Sequence, residues 1–212
     1  MKTIICRLAL GTVCSLASAA AAVAQTPAAR LTAAEHHEAI AAFQRELDAE
    51  YRDPARSPLS AEAQRTFTGL PYFPVDYGYY VEAHLVRDSI SAPFLMKTST
   101  LRQPLYRKFG TLHFRLQGQE LALNVYESLE LKQKPGFEDY LFLPFTDPTN
   151  GHGSYGGGRY LDLRAPRGNT IWLDFNRAYN PYCAYGGNYS CPVPPAENRL
   201  PVPIKAGVRS DH

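Results

Sequence analysis

The stretch TLHFRLQGQELALNV, residues 111–125, decides the fold. Leu112, Phe114 and Leu116 alternate with His113 and Arg115, and beyond Gln117-Gly118-Gln119 the alternation resumes with Leu121, Leu123 and Val125 against Ala122 and Asn124. Successive side chains of a strand point to opposite faces, so a period of two gathers each apolar set on one face, and a glycine-centred break between two such runs is a hairpin turn. Working outward, Val81, Ala83 and Leu85 repeat the alternation, and short apolar runs bounded by turn residues fall at 94–98, 140–145, 160–163, 171–175 and 202–206. Strands of this length joined mostly by turns predict a mainly β domain: an antiparallel β-barrel or β-sandwich of about eight strands.

The part before the strands is helical in period. Thr32 followed by Glu35 forms a capping box, and Ile40, Phe43, Leu47 and Tyr51 recur at three- and four-residue spacing until Pro54 stops the helix. A shorter helix is expected over 60–67, ended by Gly69, so the domain carries one or two N-terminal helices. His36 and His37 are neighbours rather than an i, i+4 pair and are expected to face solvent. Two long connections interrupt the strands: Gly-rich 146–158, and 176–203, rich in Pro, Tyr and Asn. A rigid sheet with such loops is where binding sites are commonly built.

Residues 1–24 read as a cleavable export signal. Lys2 and Arg7 precede the apolar run 8–16, and Ala22-Val23-Ala24 is a small-x-small cleavage pattern that places the cut before Gln25. Residues 25–30 then form a short linker and 31–212 a single β-rich domain, periplasmic or secreted. The apparent charge of +2 goes with the leader: losing Lys2 and Arg7 from 22 basic residues leaves 20 against 20 acidic ones. A neutral domain has no basic surplus for nucleic acid, and no later segment is long and apolar enough for a transmembrane helix. Cys6 and Cys14 leave with the signal. Cys183 and Cys191 remain, and in an oxidising compartment this short loop is expected to close as a disulfide. A metal pair lacks a second Cys or His pair at ligand spacing, and a catalytic thiol lacks a nearby His in sequence. No cofactor motif is present, and none is expected.

Gly151-His152-Gly153-Ser154-Tyr155-Gly156 matches G-x-G-x-x-G literally. That motif works between a strand and a helix N-terminus, whereas here it leads into the strand Tyr160-Leu161-Asp162-Leu163. Asp174 and Asn176 share one parity, and with Asn180 they offer acceptors at the start of the second long loop. A hard cation there would need Asp147 or Asp162 to converge with them, and the alternative is that all three satisfy backbone groups of the loop. Arg159 has the parity of Leu161 and Leu163, which puts a guanidinium at the end of an apolar face. It then needs a carboxylate, Asp174 or Asp147, or the anion of a ligand.

Five runs carry a family resemblance: SPLSAEAQRTFTGLPYFP (57–74), LFLPFTD (141–147), YGGGRYLDL (155–163), LDFNRAYNPYCAY (173–185) and CPVPPAENRLPVPIKAG (191–207). In this order they resemble the bacterial domain-of-unknown-function family 1684 over nearly all of the chain after the leader; Val208 departs, where that family tends to carry an acidic residue. The resemblance implies that Tyr155, the glycines up to Gly158, Arg159, Asp174, Asn176, Asn180, Cys183 and Cys191 belong to the family's motifs. It transfers no activity.

Three functions follow as expectations. The first is a binding domain for a small polar ligand or glycan, with Tyr155, Arg159, Asp174, Asn176 and Asn180 as its contacts; 14 tyrosines against 6 histidines suit recognition better than acid–base chemistry. The second is an envelope hydrolase with Asp174 or Glu197 as base and Arg159 holding an oxyanion. The third is a structural envelope protein without a pocket.

Overall fold

The computed structural model describes residues 29–210, so the expected leader and most of the expected linker lie outside the described residues. Helix α1 spans Ala33–Arg52 and begins as its sequence predicts: Thr32 accepts the Glu35 backbone N–H while the Glu35 carboxylate takes the Thr32 N–H. This reciprocal pair satisfies donors that every helix N-terminus leaves free. Helix α2, Ala61–Thr66, is a single capped stretch behind Ser60. One expectation fails within α1. His36 is buried, its Nε2 hydrogen-bonded to Asp174 Oδ2 at 3.0 Å and its ring stacked on Tyr80. Adjacent positions on a helix lie about 100° apart, and only His37 is left on the solvent side.

Seven strands follow: β1 Tyr80–Arg87, β2 Phe94–Leu95, β3 Leu105–Leu116, β4 Gln119–Ser128, β5 Tyr140–Phe145, β6 Arg159–Arg164 and β7 Thr170–Asp174. They form one antiparallel sheet in the order β6-β5-β4-β3-β1-β7, with β2 on β3. The β3–β4 hairpin turns on Gln117 and Gly118, both at positive φ, as a two-residue turn matched to strand twist requires.

The fold is mixed α/β with a curled, open antiparallel sheet, a half-barrel, which corrects the expected eight-stranded barrel or sandwich. The eighth expected strand, 202–206, explains the difference. Leu200, Val202, Ile204 and Ala206 are buried in alternation, as the period of two requires, and they join the main core of Leu85, Leu112, Phe114, Leu123, Val125, Leu143 and Leu161. Pro201 and Pro203, however, have no N–H to give a neighbouring strand. The segment therefore covers the inner face without joining the ladder.

A bulge in β3 adds Tyr106 to a second, outer apolar face of the sheet. Lys108 pairs with Tyr126, but Gly110 pairs with Val125, so Phe109 is the extra residue. One inserted residue moves everything before it to the opposite face. Tyr106 thus leaves the side of Leu112 and Phe114 and joins Tyr126, Phe142, Tyr160 and Met96 on the outer face.

Candidate functional site

The outer aromatic face floors a cleft of about 430 Å³. Register fixes its contents. In β5 and β6, Phe142 pairs with Asp162 and Tyr140 with Arg164, so Tyr140, Phe142, Tyr160 and Asp162 share the outer face while Leu141, Leu143 and Leu161 point inward. Helix α1 supplies one wall with Phe43, Leu47 and Glu50. The loop after β7 supplies the other with Tyr179, Pro181, Tyr182, Tyr189, Ser190, Cys191 and Pro192. That loop is tied down at several points: Tyr160 and Tyr179 exchange backbone hydrogen bonds of 2.9 and 3.1 Å, and Ser99 donates to the Cys191 carbonyl at 2.8 Å. The Tyr160 hydroxyl donates to the Pro192 carbonyl, and Tyr182 to the Glu50 carboxylate.

Asp162 is the polar centre of the cleft. Its Oδ1 accepts the hydroxyls of Tyr140 at 2.6 Å and Tyr179 at 2.8 Å. Its Oδ2 has no hydrogen-bond donor among the described residues and remains as an acceptor on the cleft wall. Crowding by the walls pushes its carboxyl above the usual Asp value, against the opposing pull of the two hydroxyls and of the Arg164 and Arg177 charges. Asp162 is nonetheless open to solvent through the mouth of the cleft, so the shift develops in full only when a ligand excludes that water. Burial, then the adjacent carboxylate, pushes the Tyr140 and Tyr179 hydroxyls far above the usual tyrosine range. Both remain protonated donors at any ordinary pH.

The residues expected from sequence are distributed differently. Arg159 does lie on the core face. It is wholly buried, and its guanidinium pairs with buried Asp147 at 3.0 Å while donating to the carbonyls of Ile204 at 2.7 Å and Ala206 at 2.5 Å. Asp147 in turn accepts the backbone N–H groups of Thr149 and Ile204. This pair pins the C-terminal segment over the core. Gly158, just before it, has φ +93°, and a side chain there would meet the Phe145 carbonyl at 2.7 Å, so the strand start needs a glycine.

Asp174 accepts from His36 and from the backbone and side-chain amides of Asn176, and Asn176 is locked against both backbone groups of Asp76. Asn180 donates to Tyr185 and to the Arg209 carbonyl. Glu197 accepts the Tyr126 hydroxyl and lines a different groove with Phe94, Lys97 and Val193. Arg159, Asp174 and Glu197 share no hydrogen-bond partner among the described residues. Tyr155 lies beside Cys183 and is not part of the cleft lining. Of the Gly-rich loop nothing lines the cleft; the Asn-, Tyr- and Pro-rich loop builds a whole wall of it.

Cys183 and Cys191 stand 2.8 Å apart, beyond the ~2.05 Å of a bond, and the Cys183 N–H donates to the Cys191 sulfur at 3.2 Å. Among the described residues no group of three or more His, Cys, Asp or Glu side chains is placed to hold a metal ion, and no helix is long and apolar enough to cross a membrane. Tyr140, Tyr179 and Glu50 escaped the sequence reading, and Asp162 entered it only as an extra cation ligand. The available signal was the apolar character of both parities in residues 140–145, which marks a strand covered on two faces.

A model of the family described as "Protein of unknown function (DUF1684)" matches residues 65–209. Among solved structures, the solution NMR structure of an uncharacterized protein of Haloarcula marismortui is 34% identical, covers 82% of this chain and 94% of its own, and superposes with a TM-score of 0.65. No curated protein matches the chain.

Proposed function

The chain belongs to the DUF1684 family, and from that premise we propose that it is a binding domain whose cleft between α1, the outer sheet face and the 179–192 loop takes a small polar molecule or a glycan unit. The observation that carries this reading is Asp162: a carboxylate with one oxygen fixed by two tyrosine hydroxyls and the other left over, in a cleft otherwise walled by aromatic rings. Concave, mainly apolar sites with few fixed polar groups are the usual form of small-molecule sites. Ring faces cover the C–H surface of a sugar or similar body, and the carboxylate orients its polar groups. The proposal includes export of the chain with removal of residues 1–24, and closure of Cys183 and Cys191 as a disulfide that rigidifies the loop wall.

The test is a thermal-shift and NMR titration of the full chain against mono- and oligosaccharides, amines and small hydroxylated compounds. At least one class should stabilise the chain and shift the resonances of Asp162, Tyr140 and Tyr179. A panel that stabilises nothing and leaves these resonances in place overturns the proposal.

A further inference from the structure

The chemistry of the lining goes further than its shape. Two carboxylates, Glu50 and Asp162, face into a cleft whose lining, among the described residues, contains no Lys, Arg or His. The nearest positive groups are engaged elsewhere: Arg164 pairs with Asp139 at 2.7 Å, and Arg177 lies over the Phe43 ring at 4.6 Å. Neither donates a hydrogen bond to Asp162, which among the described residues has only phenolic donors, on one oxygen. A neutral ligand filling the cleft would strip water from this carboxylate and add no charge, leaving only the Arg164 and Arg177 charges, neither in hydrogen-bond contact, to offset the lost hydration, and a poorly compensated desolvated charge is unfavourable. A cation would supply the counter-charge. The rings provide the second half of the argument, because the negative face of an aromatic ring attracts a cation, most strongly when water is excluded. Arg177 on Phe43 shows a rim ring already doing so.

We infer that the ligand of this cleft carries an organic ammonium group, primary or quaternary, seated among Tyr140, Tyr160 and Tyr179 with Asp162 as its counter-ion and Glu50 as a second acidic wall. This rests on the binding reading above and adds the charge of the ligand. It also explains why tyrosine predominates over phenylalanine on this face. A hydroxyl fixes the carboxylate at one oxygen while the ring remains available to the cation.

The experiment titrates the full chain, followed by NMR, with choline, with its neutral isostere 3,3-dimethylbutanol, and with glucose. Choline should shift the cleft resonances with affinity about tenfold above the isostere, the order expected of one cation held by rings and a carboxylate. Asp162→Asn keeps an acceptor for Tyr140 and Tyr179; it should cut choline affinity about tenfold and abolish the preference for choline over the isostere, which no longer has to desolvate a charge. Glu50→Gln gives a second, milder loss should Asp162→Asn unfold the chain. If glucose or the isostere binds as well as choline, or both variants keep full choline affinity, the cation inference fails while the binding reading stands. If none of the three probes moves the cleft resonances, and the wider panel above is also silent, both fail.

Discussion

Replacing Arg159 with alanine removes a guanidinium that is wholly buried and leaves the wholly buried carboxylate of Asp147 without its counter-charge. It also frees the carbonyls of Ile204 and Ala206, which Arg159 holds at 2.7 and 2.5 Å, so the C-terminal segment loses its clamp on the core. Breaking a buried pair by deleting one partner costs about 3–5 kcal/mol. The Thr149 and Ile204 N–H groups still donate to Asp147 Oδ1, which keeps the cost from exceeding that range. For a domain of this size such a loss lowers Tm by roughly 6–20 °C. The assay is urea unfolding followed by the fluorescence of Trp172, the only tryptophan. Arg159→Lys should fall between the two, since it restores a charge but not the forked donors. Pairing Arg159→Met with Asp147→Leu should recover only part of the loss, because it removes the unpaired charge but leaves the Ile204 and Ala206 carbonyls and the Thr149 and Ile204 N–H groups without these partners. An Arg159→Ala chain within about 0.5 kcal/mol of the parent, yet unable to bind a cleft ligand, would refute the structural role given to this arginine.

Two further outcomes follow from the site. The Asp162 carboxyl is raised in the folded chain, so the folded state holds its proton to higher pH than the unfolded one, and stability must fall as pH rises above the ordinary Asp value. Urea midpoints measured from pH 4 upward should therefore drop for the parent relative to Asp162→Asn; parallel curves, or the opposite slope, exclude a raised carboxyl. The cysteine loop gives the other outcome: the oxidised chain should run two mass units below the reduced one and be more stable by on the order of 2–3 kcal/mol, and reduction without any change in Tm would show that no bridge forms. In the reduced chain burial pushes the Cys191 thiol up to about 12, so alkylation at pH 8 should be slow.

What the sequence alone determined is whatever depends on neighbours along the chain. The capping box at Thr32, the helix through Tyr51, the hairpin at Gln117-Gly118 and most strand positions were legible because capping, turn geometry and the two periodicities act over a few residues. The family was legible as well, since its motifs are local strings. Tertiary structure decided everything that depends on which surface meets which. Prolines turned the eighth apolar run into a cover rather than a strand, and the Phe109 bulge carried Tyr106 to the outer face. Arg159 found Asp147, twelve residues back, while Asp174 found His36 across 138 positions. The cleft could not be read from any one segment, because its walls come from α1, β5, β6 and a loop that meet only after folding. A side chain's parity states which face it is on; only the packed chain states what covers that face.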